Sequence, residues 1–233
     1  MTSTTGNTTG NATRSSSGSR SAAQSRSDLR EDDGRLVRGR RSRARIRAAA
    51  LELFREKGFD GATLRAIAAR AGMGASSIYR HVQSKEELLI DELAALQEEA
   101  WKRFRKTTPP GESTRDRVRR FLDVQHDLLT VDRDLSMIAV RSMTRPEARV
   151  ARLVLKLNDR TIGLLAEILQ MGRKNKDLDP KADILEAART LFHITLGARI
   201  PWANGLVSAE SCRRSIQTGV DLLFTGIEVR PSS

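Results

Sequence analysis

The segment from Gly74 to Val82 has the side chains best suited to chemistry, and that chemistry is recognition rather than bond breaking. In a helix over these residues, Ile78 and Val82 lie four positions apart on one face and point inward. The residues left facing outward are Ala75, Ser76, Tyr79 and Arg80. Small residues let the start of a helix approach base pairs closely, and the tyrosine hydroxyl and the guanidinium can reach bases or phosphates. This segment is therefore a candidate for reading DNA.

No other group of residues forms a catalytic or metal-binding pattern. Cys212 is the only cysteine, which excludes a disulfide framework and a multi-cysteine metal site. His126, His193 and Asp183 have no nucleophile pattern around them, and no glycine-rich phosphate loop occurs. His193, next to Phe192, is predicted to be a core residue. We expect a protein with no catalytic residues, no metal and no cofactor.

The charge distribution also favours a polyanionic partner. The chain of 233 residues has 41 lysines and arginines against 29 acidic residues, a formal net charge of +12. Residues 41–84 alone have nine basic and three acidic residues, which is half of the excess in 44 positions. Such a distribution indicates a basic binding module on a nearly neutral body. No apolar run is long enough to span a membrane, so no membrane partner is expected.

Three predicted helices position the candidate recognition segment. The first ends at Gly58, the second begins at Thr63, which can cap it, and a tight turn at residues 72–74 leads into the third. Two short helices joined by such a turn have helix-turn-helix spacing, in which the second helix of the pair enters the major groove.

The rest of the chain is also predicted to be helical, giving an all-α fold of about nine helices. Further helices are predicted to begin at Ser84 (with a Ser84/Glu87 capping box), Ser113, about residue 134, Pro146, Asp179-Pro180 and Ser208. Residues 1–27 include 19 Ser, Thr, Gly or Asn, a composition that cannot bury a core. Residues 1–40 are therefore predicted to be a disordered basic tail.

Residues 43–92 closely resemble the DNA-binding domain of the tetracycline-repressor (TetR) family of bacterial transcription regulators. The matching elements are Ala49-Ala50 with Phe54, Gly58-Phe59, Thr63, Ile67-Ala68, Ala71-Gly72, Ile78-Tyr79-Arg80-His81 and Ser84-Lys85-Glu86-Glu87-Leu88. Gly74 stands where most members have Ser or Thr, and Val82 where most have Phe. The resemblance implies a helix-turn-helix DNA-binding domain over residues 41–88 and a helical effector-binding and dimerisation domain over residues 89–230.

The resemblance also implies roles for single residues. The implied DNA contacts are Thr63, Arg65, Ala75, Ser76, Tyr79, His81 and Lys85. Thr63 would bind a phosphate at the start of the second helix, and Arg65 would point to a guanine edge or a phosphate. Ala75, Ser76 and Tyr79 would lie along the bases, whereas His81 and Lys85 would hold the DNA backbone.

The body is expected to bind a small molecule and to dimerise. The predicted ligand-binding residues, which include a charge within an apolar stretch, are Trp101, Phe104, Phe121, Met137 and Arg141. Arg141 needs either an internal acid or an anionic ligand as its partner. The residues of the last two helices predicted to form the dimer interface are Leu191, Leu196, Ile216, Val220, Leu223 and Phe224.

These expectations combine into one function. The chain is predicted to be a cytoplasmic, homodimeric, sequence-specific regulator, associated with the nucleoid when bound to DNA. It would be a repressor that a small-molecule effector releases from a palindromic double-stranded operator. A transcriptional activator and a ligand-independent regulator remain alternatives. A nonspecific DNA-organising protein is a further one, and an enzyme fused to a DNA-binding domain lacks a catalytic set.

Overall fold

The computed structural model describes the backbone of residues 17–107 and 109–227, and side chains from residue 37 onward within those ranges. This part of the chain has nine α-helices and no strand, which confirms the predicted all-α class. The helices are α1 (Ser17–Gly61), α2 (Leu64–Arg70), α3 (Ala75–Ile78), α4 (Lys85–Lys106), α5 (Thr114–Val131), α6 (Arg133–Thr144), α7 (Ala148–Lys174), α8 (Ile184–Ala203) and α9 (Ala209–Ile227).

The chain divides into two compact units, residues 1–45 and residues 46–233. In the first unit the described backbone is helical from Ser17 onward, so the prediction of a disordered tail over residues 1–40 differs from the structure there. Residues 17–40 contain no proline, and their six arginines are good helix formers, so the sequence there is compatible with a helix. Residues 1–16 lie outside the described part.

Apolar side chains of α1, α2 and α3 pack together at the centre of residues 46–84, here called the head. The residues buried there include Ile46, Ala50, Ile67, Ala68, Ile78 and Val82. Gly58 leaves the helical conformation at φ 73°, as predicted for the end of the first helix. Gly72, at φ 66°, turns the chain from α2 toward α3. Side chains are strained at positive φ, so glycine permits both turns.

Helix α4 begins where the sequence predicts and carries the chain into residues 85–227, here called the body. The Ser84 hydroxyl accepts a hydrogen bond from the Glu87 N–H at 3.3 Å, and the Glu87 carboxylate accepts one from the Gln83 N–H at 2.8 Å. This is the predicted capping box, with the return bond displaced by one residue. The 22 residues of α4 give it a length of about 33 Å.

The body is built from long helices that pack side by side. Helix α8 packs between α7 and α9, and α4 packs against both α5 and α7. One face of α8 is buried in the body: Ile184, Ala187, Ala188, Leu191 and Thr195. No helix among the described residues combines the length and the apolar character needed to cross a bilayer.

Two predicted helix starts in the body are wrong by a few residues. Helix α7 begins at Ala148 with Glu147 as its cap, rather than at Pro146. Helix α8 begins at Ile184, because the Asp183 carboxylate caps two backbone N–H groups there. Asp179 instead forms a separate turn, in which its carboxylate accepts from the Lys181 N–H at 2.8 Å.

Candidate nucleic-acid interface and ligand cavity

The start of α2 presents two of the residues implied to contact DNA. Thr63 is the N-cap of α2, and its hydroxyl oxygen accepts a hydrogen bond from the Ala66 N–H at 3.2 Å. Arg65, in the first turn of α2, is exposed and makes no ion pair within the described residues. The positive end of α2 and one free cation therefore face solvent together, as binding of a phosphate or a base edge requires.

Helix α3 presents the outward residues that the sequence pattern predicts. Ile78 and Val82 are buried, whereas Ala75 and Ser76 are exposed and Tyr79 is 60% exposed. Gly74 is the N-cap of α3 and makes no side-chain hydrogen bond, because glycine has no side chain. The Ser or Thr that most TetR members have at this position could make one. Three small exposed positions in succession leave the start of α3 open to close approach.

The electrostatics of this surface are one-sided. The sequence has no acidic residue between Asp60 and Glu86. Arg70, at the other end of α2, is paired with Glu52 at 3.3 Å and with Glu56 at 2.8 Å, so its positive charge is already compensated within the head. The surface made by the first turn of α2 together with the whole of α3 therefore has cations and hydrogen-bond donors but no carboxylate.

Lys85 and His81 occupy positions different from those of the exposed set. The Lys85 ammonium donates hydrogen bonds to the carbonyl oxygens of Phe59 (2.7 Å), Asp60 (3.3 Å) and Ala62 (3.4 Å), and lies 4.4 Å from the centre of the Phe59 ring. Lys85 therefore fastens the end of α1 to the start of α4, a role the sequence analysis missed. His81 is half-buried.

The aromatic residues predicted to bind a ligand instead fill the core. Trp101, Phe104 and Phe121 are buried and lie against one another, with ring centres 5.3 to 5.6 Å apart. Met137 is half-buried. Arg141, predicted as a ligand-binding residue, is exposed, because the buried face of α6 contains its neighbour Val140 and a helix turns the next residue outward.

A cavity of about 70 Å³ lies elsewhere in the body, between α4, α5, α6, α7 and α8. None of the five predicted ligand-binding residues lines it. Its apolar walls are formed by Leu93, Leu96, Leu129, Val140, Met143, Leu157, Phe192 and Leu196. Its polar lining residues are Gln97, Gln125, Thr161, Thr195 and Arg199. A mostly apolar cavity with a few converging polar groups is the usual form of a small-molecule site.

One side of the cavity has a hydrogen-bond chain with a free acceptor. The Thr161 hydroxyl donates to the Leu157 carbonyl oxygen at 3.0 Å, so it can only accept from the Gln97 amide, 2.6 Å away. The Gln97 nitrogen must therefore face Thr161. The Gln97 oxygen Oε1 is buried and has no hydrogen-bond partner.

Arg199 places a positive charge at the cavity. One of its terminal nitrogens donates to the Gln125 oxygen at 3.2 Å, while its Nε is buried without a partner. No carboxylate within the described residues pairs with it. Burial lowers the pKa of Arg199 to about 10, which leaves the guanidinium charged at neutral pH. The sequence signal was available, since Arg199 interrupts an apolar stretch just as Arg141 does.

A second buried group adjoins this charge. The His126 Nε2–H donates to the Ala209 carbonyl oxygen at 2.9 Å, and the His126 ring lies 5.8 Å from that of Trp202. Burial, together with the charges of Arg199 and Arg213, lowers the pKa of His126, so the ring is neutral. His193, predicted to be a core residue, is instead exposed.

The surface available for dimerisation differs from the predicted set. Leu191, Ile216, Val220 and Phe224 are buried within the single chain, and Leu196 lines the cavity. These residues face the chain's own core, because the longest apolar stripe of a helix is used first for folding. Leu223 is half-buried. Exposed apolar residues on the same two helices are Leu185, Ile200 and Leu222.

A polar contact joins the head to the body. The Arg55 Nε of α1 donates to the Asp132 carboxylate at 2.6 Å, and Asp132 also caps α6. A second cavity of about 210 Å³ lies beside this pair and shares Leu93 and Leu96 of α4 with the first cavity. Helix α4 is therefore a common wall of both cavities and the direct continuation of the head.

A basic helix-turn-helix head on an all-α body defines a class of DNA-binding transcription regulator. Residues 46–91 match the bacterial regulatory proteins of the tetR family. The chain is 28% identical over 203 residues to the HTH-type transcriptional repressor KstR of Rhodococcus jostii, covering 87% of this chain and 92% of that protein. It is 26% identical to the HTH-type transcriptional regulator UidR of Escherichia coli, covering 67% and 79%.

The structural comparison agrees with the sequence comparison. The TetR-family repressor FadR of Thermus thermophilus, solved in complex with lauroyl-CoA, matches with a TM-score of 0.67 and 25% identity, covering 82% of this chain and 97% of that one. Residues 46–91 thus match the DNA-binding domain of the tetR family, and over most of its length the chain is similar to transcription regulators of that family; it is a DNA-binding transcription regulator.

Proposed function

We propose that the protein is a cytoplasmic homodimeric repressor that binds a palindromic operator and leaves it when a small molecule fills the α4–α8 cavity. The observation that supports DNA binding most directly is the exposed, acid-free surface formed by the first turn of α2 and by α3. The relatives include a repressor, KstR, and a repressor that binds an acyl-CoA, FadR.

In this proposal, α3 enters the major groove and the start of α2 binds the DNA backbone. Ala75, Ser76 and Tyr79 lie along the base edges, with the phenol also within reach of a phosphate. Thr63 binds a phosphate through its hydroxyl and the backbone N–H groups at the start of α2. Arg65 reads a guanine or pairs with a phosphate.

Two further residues would support the DNA contacts. His81 borders the recognition segment and binds the DNA backbone. Lys85 lies at the start of α4, and because its ammonium already donates to three carbonyl groups, it holds the head in shape as well as facing the DNA backbone.

The dimer would form through the outer faces of α8 and α9. Leu185, Ile200 and Leu222 are exposed there and would lose water contact against the same helices of a second chain. A two-fold symmetric pair doubles the DNA contacts, since one short helix reads too few base pairs alone. It also presents two α3 helices to half-sites about 34 Å apart.

The test compares two arginines of the same helix by fluorescence anisotropy with DNA selected by the protein from a random pool. We expect Arg65→Ala to weaken binding to the selected DNA by about tenfold to a hundredfold, equivalent to about 1–3 kcal/mol. Arg70→Ala is the matched control, because Arg70 is already paired with Glu52 and Glu56. We expect it to leave DNA affinity within about twofold of the unmodified chain.

Three outcomes are informative. Equal losses for selected and random DNA would reassign Arg65 to the DNA backbone. Equal losses of DNA affinity for Arg65→Ala and Arg70→Ala would show that the DNA-binding surface is not the one proposed. A chain that selects no sequence at all would contradict the proposed function.

A further inference from the structure

The Arg199 guanidinium is held at the cavity without the partner that such a group ordinarily has. Buried charges in proteins are usually paired, because removing an ion from water is costly. Here the contact is with a neutral amide oxygen of Gln125, and Nε has no partner at all. The carboxylates of Asp123 and Asp127 contact Arg213 and not Arg199.

The rest of the cavity is built as a binding site and not as a packing defect. Gln97 is only 5% exposed, yet its Oε1 has no donor. Two unpartnered polar atoms, one of them on a charged group, lie in a cavity whose other lining residues are mostly leucine, valine, methionine and phenylalanine. Buried polar atoms in proteins are usually hydrogen-bonded, so a ligand that contacts both atoms would satisfy them.

We propose that the cavity binds a small organic carboxylate with an aliphatic body, whose acid group pairs with Arg199 and whose chain lies along the leucine-rich walls. A carboxylate matches the planar donor geometry of a guanidinium and supplies the missing charge. A neutral ligand of the same shape would leave Arg199 uncompensated. The inference names the effector class and, for its regulatory consequence, rests on the proposed function.

The first test measures direct binding of octanoate, octan-1-ol and octanoyl-CoA to the full chain by isothermal titration calorimetry, without DNA. We expect octanoate to bind at least tenfold more tightly than octan-1-ol, since a charge-assisted hydrogen bond favours the acid. In Arg199→Met this preference should disappear, with octanoate weakened at least tenfold and octan-1-ol unchanged or tighter. Arg141→Met is the matched control, because Arg141 is exposed, and it should retain the preference.

Further variants keep the result interpretable. Arg199→Gln removes the charge while keeping hydrogen-bonding capacity, and should behave as Arg199→Met does. Arg199→Lys should restore part of the preference for octanoate. Circular dichroism establishes that each variant is folded.

The proposal is overturned if octanoate and octan-1-ol bind alike, or if octanoate binds equally well to Arg199→Met. It is also overturned if octanoyl-CoA binds more tightly than octanoate and independently of Arg199, which would indicate a thioester ligand. Release from DNA is measured separately by anisotropy. A chain that binds octanoate through Arg199 but selects no DNA sequence would refute the proposed function and leave the ligand class standing.

Discussion

Lys85 offers the sharpest test of how the head is held to the body. Replacing it with methionine keeps most of the side-chain volume but removes the ammonium that binds the carbonyl groups of Phe59, Asp60 and Ala62. It also removes the contact with the Phe59 ring. Three orphaned carbonyl groups at the end of α1 would then depend on water alone.

The magnitude follows from these contacts. A hydrogen bond from a charged donor contributes about 1.5–3 kcal/mol, and a partly exposed cation–π contact about 0.5–1 kcal/mol. A cation at the start of α4 interacts unfavourably with the helix dipole, so its removal stabilises the fold by about 0.5 kcal/mol and offsets part of this loss. Since Lys85 is half-buried, we expect a loss near the lower end, about 2 kcal/mol in the free energy of unfolding. In a chain of this size that lowers Tm by about 4–8 °C.

The assay is urea denaturation of Lys85→Met, monitored by circular dichroism. Lys102→Met is the matched control. Lys102 is exposed on the same helix, and its replacement should leave the unfolding midpoint nearly unchanged. The salt dependence of DNA binding by the same variants completes the experiment. If the slope of log affinity against log salt concentration falls by about one in Lys85→Met, Lys85 also contacts a phosphate. If the slope is unchanged, Lys85 only supports the head. Equal midpoints for the two variants would refute the stabilising role.

Two other predictions concern the body. His126 is neutral when folded and its pKa lies below the ordinary value, so the folded state should lose stability as pH falls through about 6.5, by up to about 1.4 kcal/mol per pH unit. Urea denaturation between pH 7.5 and 5.5 should give a flatter dependence for His126→Gln, and an unchanged dependence would assign the effect to other groups. Leu222 is 70% exposed on α9, and Leu222→Glu should shift the protein toward monomer in analytical ultracentrifugation. The matched change Leu155→Glu on α7 should not, and a dimer that tolerates Leu222→Glu would place the interface elsewhere.

The head was the part most fully predicted from the sequence, because its signals are local. Gly58, Thr63, Gly72 and Ser84 act within a few residues of their own positions, and each does so in the structure. The inward position of Ile78 likewise follows from helical periodicity alone. Local rules suffice where the chain turns and caps within one short segment.

The cavity and the dimer surface could not be predicted in the same way, because both depend on which side of a helix another helix covers. Arg141 and Arg199 both interrupt apolar stretches, yet the first is exposed and the second lines the cavity. Leu191 and Val220 lie on apolar stripes, which are satisfied within one chain before any second copy is present. Periodicity identifies a buried face but not its partner, and that choice is made by packing between distant segments.

The size of the cavity connects ligand binding to the head. At about 70 Å³ it is smaller than a cavity of about 150 Å³ that binds benzene, so we expect an aliphatic acid to push its walls apart. One wall is α4, through Leu93, Leu96 and Gln97, and α4 continues directly into the head.

Reversing a 99:1 preference for the DNA-bound form requires about 5.5 kcal/mol of differential binding. Only burial that occurs in the released form and not in the DNA-bound form counts toward this difference. At about 0.8 kcal/mol per buried carbon, the seven aliphatic carbons of octanoate supply at most about that amount, whereas the three of butyrate supply less than half of it. We therefore expect octanoate to release the operator and butyrate to fail even at saturation, as measured by anisotropy; equal release by the two acids would show that expansion of the cavity does not drive the switch.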